Sequence, residues 1–246
     1  MNARTVNVAG LAALLACAAP AVAAAQSKAD AFEGKIPPVS GQLYQKAGRT
    51  EVTASGNLSL NDAFYAKYFL GVKVGYHFTE TLSADLEASG GPAVSTSSAV
   101  VCTTASGCSD ATTVMMRQVP GRIRWMLGAQ GAWAPIYGKL DVLSEQVAHF
   151  DLSVLAGPDL IAHDEVLSKA NAEAGVVPRT VTSLGGHFGI GMRLFITPRY
   201  AVRLELKDYI YSVNVPNGGI GKDVQNQLFA ELGFSFFIPG SNRSTR

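Results

Sequence analysis

Between Thr50 and Phe236, apolar and polar side chains alternate with a period of two in one segment after another, the spacing that places the two kinds on opposite faces of a strand. In the first segment Val52, Ala54, Gly56, Leu58 and Leu60 oppose Glu51, Thr53, Ser55, Asn57 and Ser59. In the second, Tyr68, Leu70, Val72, Val74, Tyr76 and Phe78 oppose Lys67, Phe69, Gly71, Lys73, Gly75 and His77; in the third, Leu82, Ala84, Leu86 and Ala88 oppose Ser83, Asp85, Glu87 and Ser89. After an interruption, Ile123, Trp125, Leu127, Ala129 and Trp133 oppose Arg124, Met126, Gly128, Gln130 and Ala132. A less regular fifth segment, Val147 to Gly157, sets Phe150, Leu152, Val154 and Ala156 against Asp151, Ser153 and Gly157. Three more follow: Leu184 to Ile196 carries Arg193, Val202 to Ile210 carries Arg203, Glu205 and Lys207, and Gln227 to Phe236 carries Glu231. The pattern predicts about eight two-faced strands.

The glycine-rich stretch GGHFGIGMRLF, Gly185 to Phe195, belongs to the sixth of them. A phosphate-binding loop needs a strand to end and a helix to begin at its glycines, whereas here the alternation runs unbroken from Leu184 through Ile196. The connections alternate in length: short turns at Thr79 to Thr81, Pro135 to Lys139 and Thr197 to Tyr200, and between them long segments at Gly90 to Pro120, Ala162 to Val181 and Val213 to Asp223, with a shorter one at Asn61 to Tyr65. Short periplasmic turns, long outer loops and an even strand number predict an all-β, transmembrane, antiparallel up-and-down barrel with both termini periplasmic.

A soluble barrel has the same alternation with the opposite orientation. Three features favour lipid on the apolar side. Gly71, Gly75, Gly128, Gly185, Gly189, Gly191 and Gly233 share the charged face, where a narrow lumen needs room for long side chains. Tyr76, Phe78, Trp133, Tyr137, Tyr200, Phe234 and Phe236 gather at the turn-side ends as an interface girdle. Turns and loops are also segregated by length. The expected lumen is a polar network of Lys73, Asp85, Glu87, Arg124, Arg193, Arg203, Glu205, Lys207 and Glu231, with Glu51 and Lys67 on the same parity, which leaves no wide porin channel.

Outside the periodic region, residues 1–25 read as a signal peptide, with Arg4, an apolar run from Val6 to Val22 and the small residues Ala23 to Ala25 before Gln26. Leu14-Leu15-Ala16-Cys17 only loosely resembles a lipoprotein signal. Residues 26–48 read as a periplasmic arm that could be disordered, fold into the lumen or bind a partner, 49–238 as the barrel and 239–246 as a periplasmic tail. Cys102 and Cys108 remain after cleavage and predict a small loop disulfide of an exported protein. Helix formers from Asp164 to Ala174, ahead of Gly175, predict a short loop helix. A net charge of +1 without a basic aromatic stripe excludes nucleic acid as a partner, and no segment after the signal peptide is apolar enough for a membrane helix.

Candidate chemistry is sparse. Ser183 and His187 share the lumen face and His163-Asp164 opens an outer loop, but a nucleophile needs a base within reach and a third group orienting it. No catalytic, cofactor or metal residues are assigned, because no carboxylate and histidine cluster has ligand spacing along the chain. The sequon at Asn57 lies in a strand and is set aside.

Arg49 with Glu51, LNDAFY (Leu60 to Tyr65), YHFTE (Tyr76 to Glu80), PIYGK (Pro135 to Lys139) and His149-Phe150-Asp151 resemble a family of small myxobacterial outer-membrane β-barrel proteins. Some of that family are barrel subunits of the gliding-motility machinery. The resemblance spans about Lys35 to Phe237 and implies a non-enzymatic barrel in the bacterial outer membrane. It also implies partners beyond the surrounding lipid, namely periplasmic carriers and surface adhesins or lipoproteins of an envelope-spanning complex. The expected function is an anchor or coupling subunit. The alternatives are a transport barrel for small or apolar solutes and, behind it, a lipid-modifying enzyme.

Overall fold

The computed structural model describes residues 44–103, 107–142, 146–216 and 221–238. The signal peptide, all but the last residues of the arm, and the tail read from the sequence lie outside the described residues. Eight long strands carry the fold: β1 (Thr50–Ser59), β2 (Tyr65–His77), β3 (Leu82–Gly90), β7 (Ile123–Val142), β8 (Gln146–Asp164), β9 (Thr180–Phe195), β10 (Tyr200–Val215) and β11 (Gly221–Ile238). Each pairs antiparallel with its neighbours in this series, and β1 pairs with both β2 and β11, so the sheet closes on itself. Between β3 and β7 the chain forms β4 (Ala93–Ser95), which extends the edge of β2, a separate hairpin of β5 (Val100–Thr103) and β6 (Gly107–Asp110), and the helix α1 (Thr113–Met116). The second helix, α2 (Lys169–Glu173), lies between β8 and β9. It is capped by the Ser168 side chain and followed by Gly175 at φ 78°, as the helix formers there predict.

The burial pattern is that of an ordinary globule turned inside out. Lys73, Asp85, Glu87, Arg193, Arg203, Glu205, Lys207 and Glu231 are buried, while Leu70, Val72, Leu86, Ile190 and Leu232 are each more than half exposed. Such a surface suits hydrocarbon, and closure leaves no strand edge unpaired within it. The glycines of the inner face make the packing possible. A Cβ on Gly128 would lie 2.1 Å from Asp159 Oδ1, and one on Gly189 would lie 2.3 Å from the Leu206 carbonyl oxygen. Asp208 departs from the pattern, since it shares the apolar parity of β10 opposite Phe188 and Leu228.

Three sequence expectations are corrected at two irregularities of β7. Pro135 to Lys139 is not a turn, because β7 continues to Val142 and pairs with β8 along that length. Between Trp133 and Ile136 two residues of β7, Ala134 and Pro135, stand opposite one of β8, Ser153, and Pro135, which has no N–H to donate, sits in this bulge. The bulge reverses the faces, turning Ile136 outward and Tyr137 inward opposite Asp151. Tyr137 is therefore not a girdle residue. A second shift, between Ile123 and Trp125, turns Ile123 into the barrel and leaves Arg124 exposed, so Arg124 is not part of the lumen network. The remaining girdle residues are exposed along the turn-side rim, with Tyr76 packed on Phe78 and Tyr200 on Phe234 and Phe236.

Candidate functional site in the barrel lumen

At the turn-side end the lumen has an aromatic floor. Phe195 and Phe237 pack with Ala201, and the chain entering β1 lays Tyr44 against the Phe195 ring at 5.4 Å. Tyr137 joins them, its hydroxyl 2.7 Å from His149 Nδ1. Lys46, just outside the strands, reaches Asp151 at 2.6 Å. Burial lowers the Lys46 ammonium below its ordinary pKa, with Asp151 acting in the opposite sense.

Above the floor the inward positions of successive strands form a ladder of ion pairs. Arg193 from β9 donates to Asp151 and Glu51, both at 2.9 Å, and His77 meets Glu51 at 2.8 Å. Arg203 from β10 binds Asp85 at 3.0 Å and Glu205 at 2.5 Å, with Glu51 at 3.5 Å. Gln130 closes this level by donating to Asp85. One level higher, Lys73 bonds Glu205 and Glu231, and Lys207 bonds Glu87 at 2.6 Å. The Tyr209 hydroxyl lies 3.2 Å from Glu87 and 3.1 Å from Glu231, either of which can accept its one proton. His187 stands beside the Tyr209 ring with its Nδ1 2.7 Å from Asp159 Oδ2. Setting aside the pairs at the loop rim, the buried ladder holds, among the described residues, seven carboxylates (Glu51, Asp85, Glu87, Asp151, Asp159, Glu205 and Glu231) and five fixed cations (Lys46, Lys73, Arg193, Arg203 and Lys207).

An apolar lid of Phe69, Phe229, Ile123, Met126, Ile161, Tyr211 and Val213 covers the ladder on the loop side, and Val166 of the β8–β9 loop packs into it. At the rim, Lys67 pairs with Asp62 and with Gln227, while Arg124 forms a two-pronged pair with Asp164 at 2.8 and 2.9 Å. Cys102 and Cys108 face each other across the β5–β6 hairpin and are disulfide-bonded. Ser183, which shares the lumen parity of His187, meets a different histidine. Ser183 lies 3.0 Å from His163 Nε2, not at His187, and His163 Nδ1 meets the Asp164 backbone oxygen where an orienting carboxylate would be needed.

Eight of the nine residues expected in the polar network are thus brought together. Asp151, Asp159, His77, His187 and Lys46 also belong to it. Asp159 escaped the sequence reading because Pro158 interrupts the alternation after Gly157, although it keeps the parity of Ser153 and Gly157.

A closed antiparallel sheet of eight strands, apolar outside and ion-paired inside, defines a membrane-embedded β-barrel. The chain belongs to the outer membrane protein beta-barrel domain family, whose model matches residues 9–236, and this places it in the bacterial outer membrane. Among solved structures it is similar to the N-terminal barrel domain of Pseudomonas aeruginosa OprF, at 12% identity and TM-score 0.46 over 79% of this chain and 100% of that one. It is also similar to P. aeruginosa OprG, at 14% identity and TM-score 0.43 over 79% and 97%, and to E. coli outer membrane protein W, at 15% identity and TM-score 0.41 over 78% and 99%. No curated protein matched the sequence.

Proposed function

We propose that this barrel is a non-enzymatic, non-conducting anchor that couples an envelope-spanning complex to the outer membrane. The observation that carries the reading is the filled lumen: an aromatic floor, two levels of ion pairs and an apolar lid lie in series along the barrel axis. A solute crossing it would have to break buried charge pairs, each of which is strongly destabilising to disrupt from one side. The structured loops offer an outer contact surface, and β1 begins and β11 ends at the turn-side rim. Gliding motility is the machinery we assign, on the resemblance carried by Leu60 to Tyr65, Tyr76 to Glu80 and Pro135 to Lys139.

Crosslinking in intact cells followed by purification of the barrel is expected to recover periplasmic and surface proteins, and deletion to impair gliding. An isolated monomer together with unimpaired gliding contradicts the proposal. Solute uptake lost on deletion would favour the transport alternative.

A further inference from the structure

We propose that Glu87, Asp159 and His187 form a binding site for a divalent transition-metal ion, Zn2+ in chemical class, within the barrel wall. One donor atom from each of the three lies within 4.8 Å of the other two, and all three residues are buried. The residues come from β3, β8 and β9, and the register explains why they converge. Gly128 of β7 stands between Glu87 and Asp159 in the sheet, and Gly157 of β8 stands beside His187. The missing Cβ of Gly128 leaves the space that Asp159 Oδ1 fills.

Two further observations point to a cation. Asp159 Oδ1 is buried without a hydrogen-bond partner, an expensive state for a polar atom at low dielectric. Among the described residues the ladder also holds two more carboxylates than fixed cations, a difference that one dication at this point offsets. Glu87 can serve it through Oε1, 3.9 Å from His187 Nδ1, because Lys207 and Lys73 hold the other oxygen at 2.6 and 3.4 Å. The Tyr209 hydroxyl, 3.2 Å away, fixes the orientation of that carboxylate. An imidazole with two carboxylates suits zinc-like ions, whereas magnesium and calcium favour all-oxygen sites. The rival reading is that the 2.7 Å contact of His187 Nδ1 with Asp159 Oδ2 is a plain hydrogen bond with no ion between the groups. Bound metal would join three strands of which β3 and β8 are not neighbours.

The test uses the full chain, produced without a histidine tag, refolded into detergent in the presence of zinc chloride so that the ion is available before the barrel closes, and desalted. Elemental mass spectrometry is expected to find stoichiometric zinc, and X-ray absorption a shell of nitrogen and oxygen ligands near about 2.0 Å without sulfur. Asp159→Asn and His187→Ala should reduce bound zinc to background at least tenfold. Absence of stoichiometric zinc from the wild-type barrel overturns the proposal, a result that needs no variant to fold. Unchanged zinc in folded Asp159→Asn, or a doubly protonated His187 whose nitrogen resonances ignore zinc, also overturns it.

Discussion

Arg203 serves three carboxylates from three different strands, Glu51, Asp85 and Glu205, in a site closed to water. Replacing it with Met removes the cation and strands the acids, so Arg203→Met should lower barrel stability by about 3–5 kcal/mol, read from the urea midpoint of the detergent-refolded protein. A change below about 1 kcal/mol would mean that water reaches these groups. On the opposite face Phe188 is 56% exposed near the middle of β9. Phe188→Arg should cost about 2–4 kcal/mol in a bilayer, and an unchanged midpoint would place that face in water. Gly189→Leu should abolish the folded species on unheated gels, because the Leu206 carbonyl occupies the place of its Cβ. At this scale parity alone made most of the lumen legible. It failed for Arg124 and Tyr137, where a bulge changes which face a residue takes, and no side-chain pattern marks a bulge in advance.

The elements show the same division between local pattern and long-range pairing. Pro and Gly at 135 and 138 resemble turn chemistry, yet Pro135 relieves a bulge and Gly138 makes room for the Phe150 ring, to which a Cβ would come within 2.4 Å. Competition with β8 decided the outcome, and that competition is invisible in a five-residue window. The β5–β6 hairpin is a small sheet of its own, so its disulfide restrains the loop and not the barrel. Cys102→Ser with Cys108→Ser should leave the barrel's urea midpoint unchanged while added protease cuts this loop faster in intact cells. A lowered midpoint would show that the hairpin braces the strands.

At the scale of the whole molecule, closure converts eight modest alternations into one sealed wall, and the lumen chemistry follows from strand register. Glu87, Asp159 and His187 lie 72 and 28 residues apart in the chain, so no ligand spacing could announce them. The fold was readable because parity is local; the cluster was not, because it depends on which strand pairs with which and at what offset. The same register stacks floor, ion pairs and lid along one axis, and the central claim is that this stack blocks passage. The most direct measurement is single-channel recording of the full chain reconstituted in a planar bilayer, beside a porin in the same lipid. The account predicts no stepwise conductance above the bare membrane, and sustained steps that scale with salt concentration would contradict it.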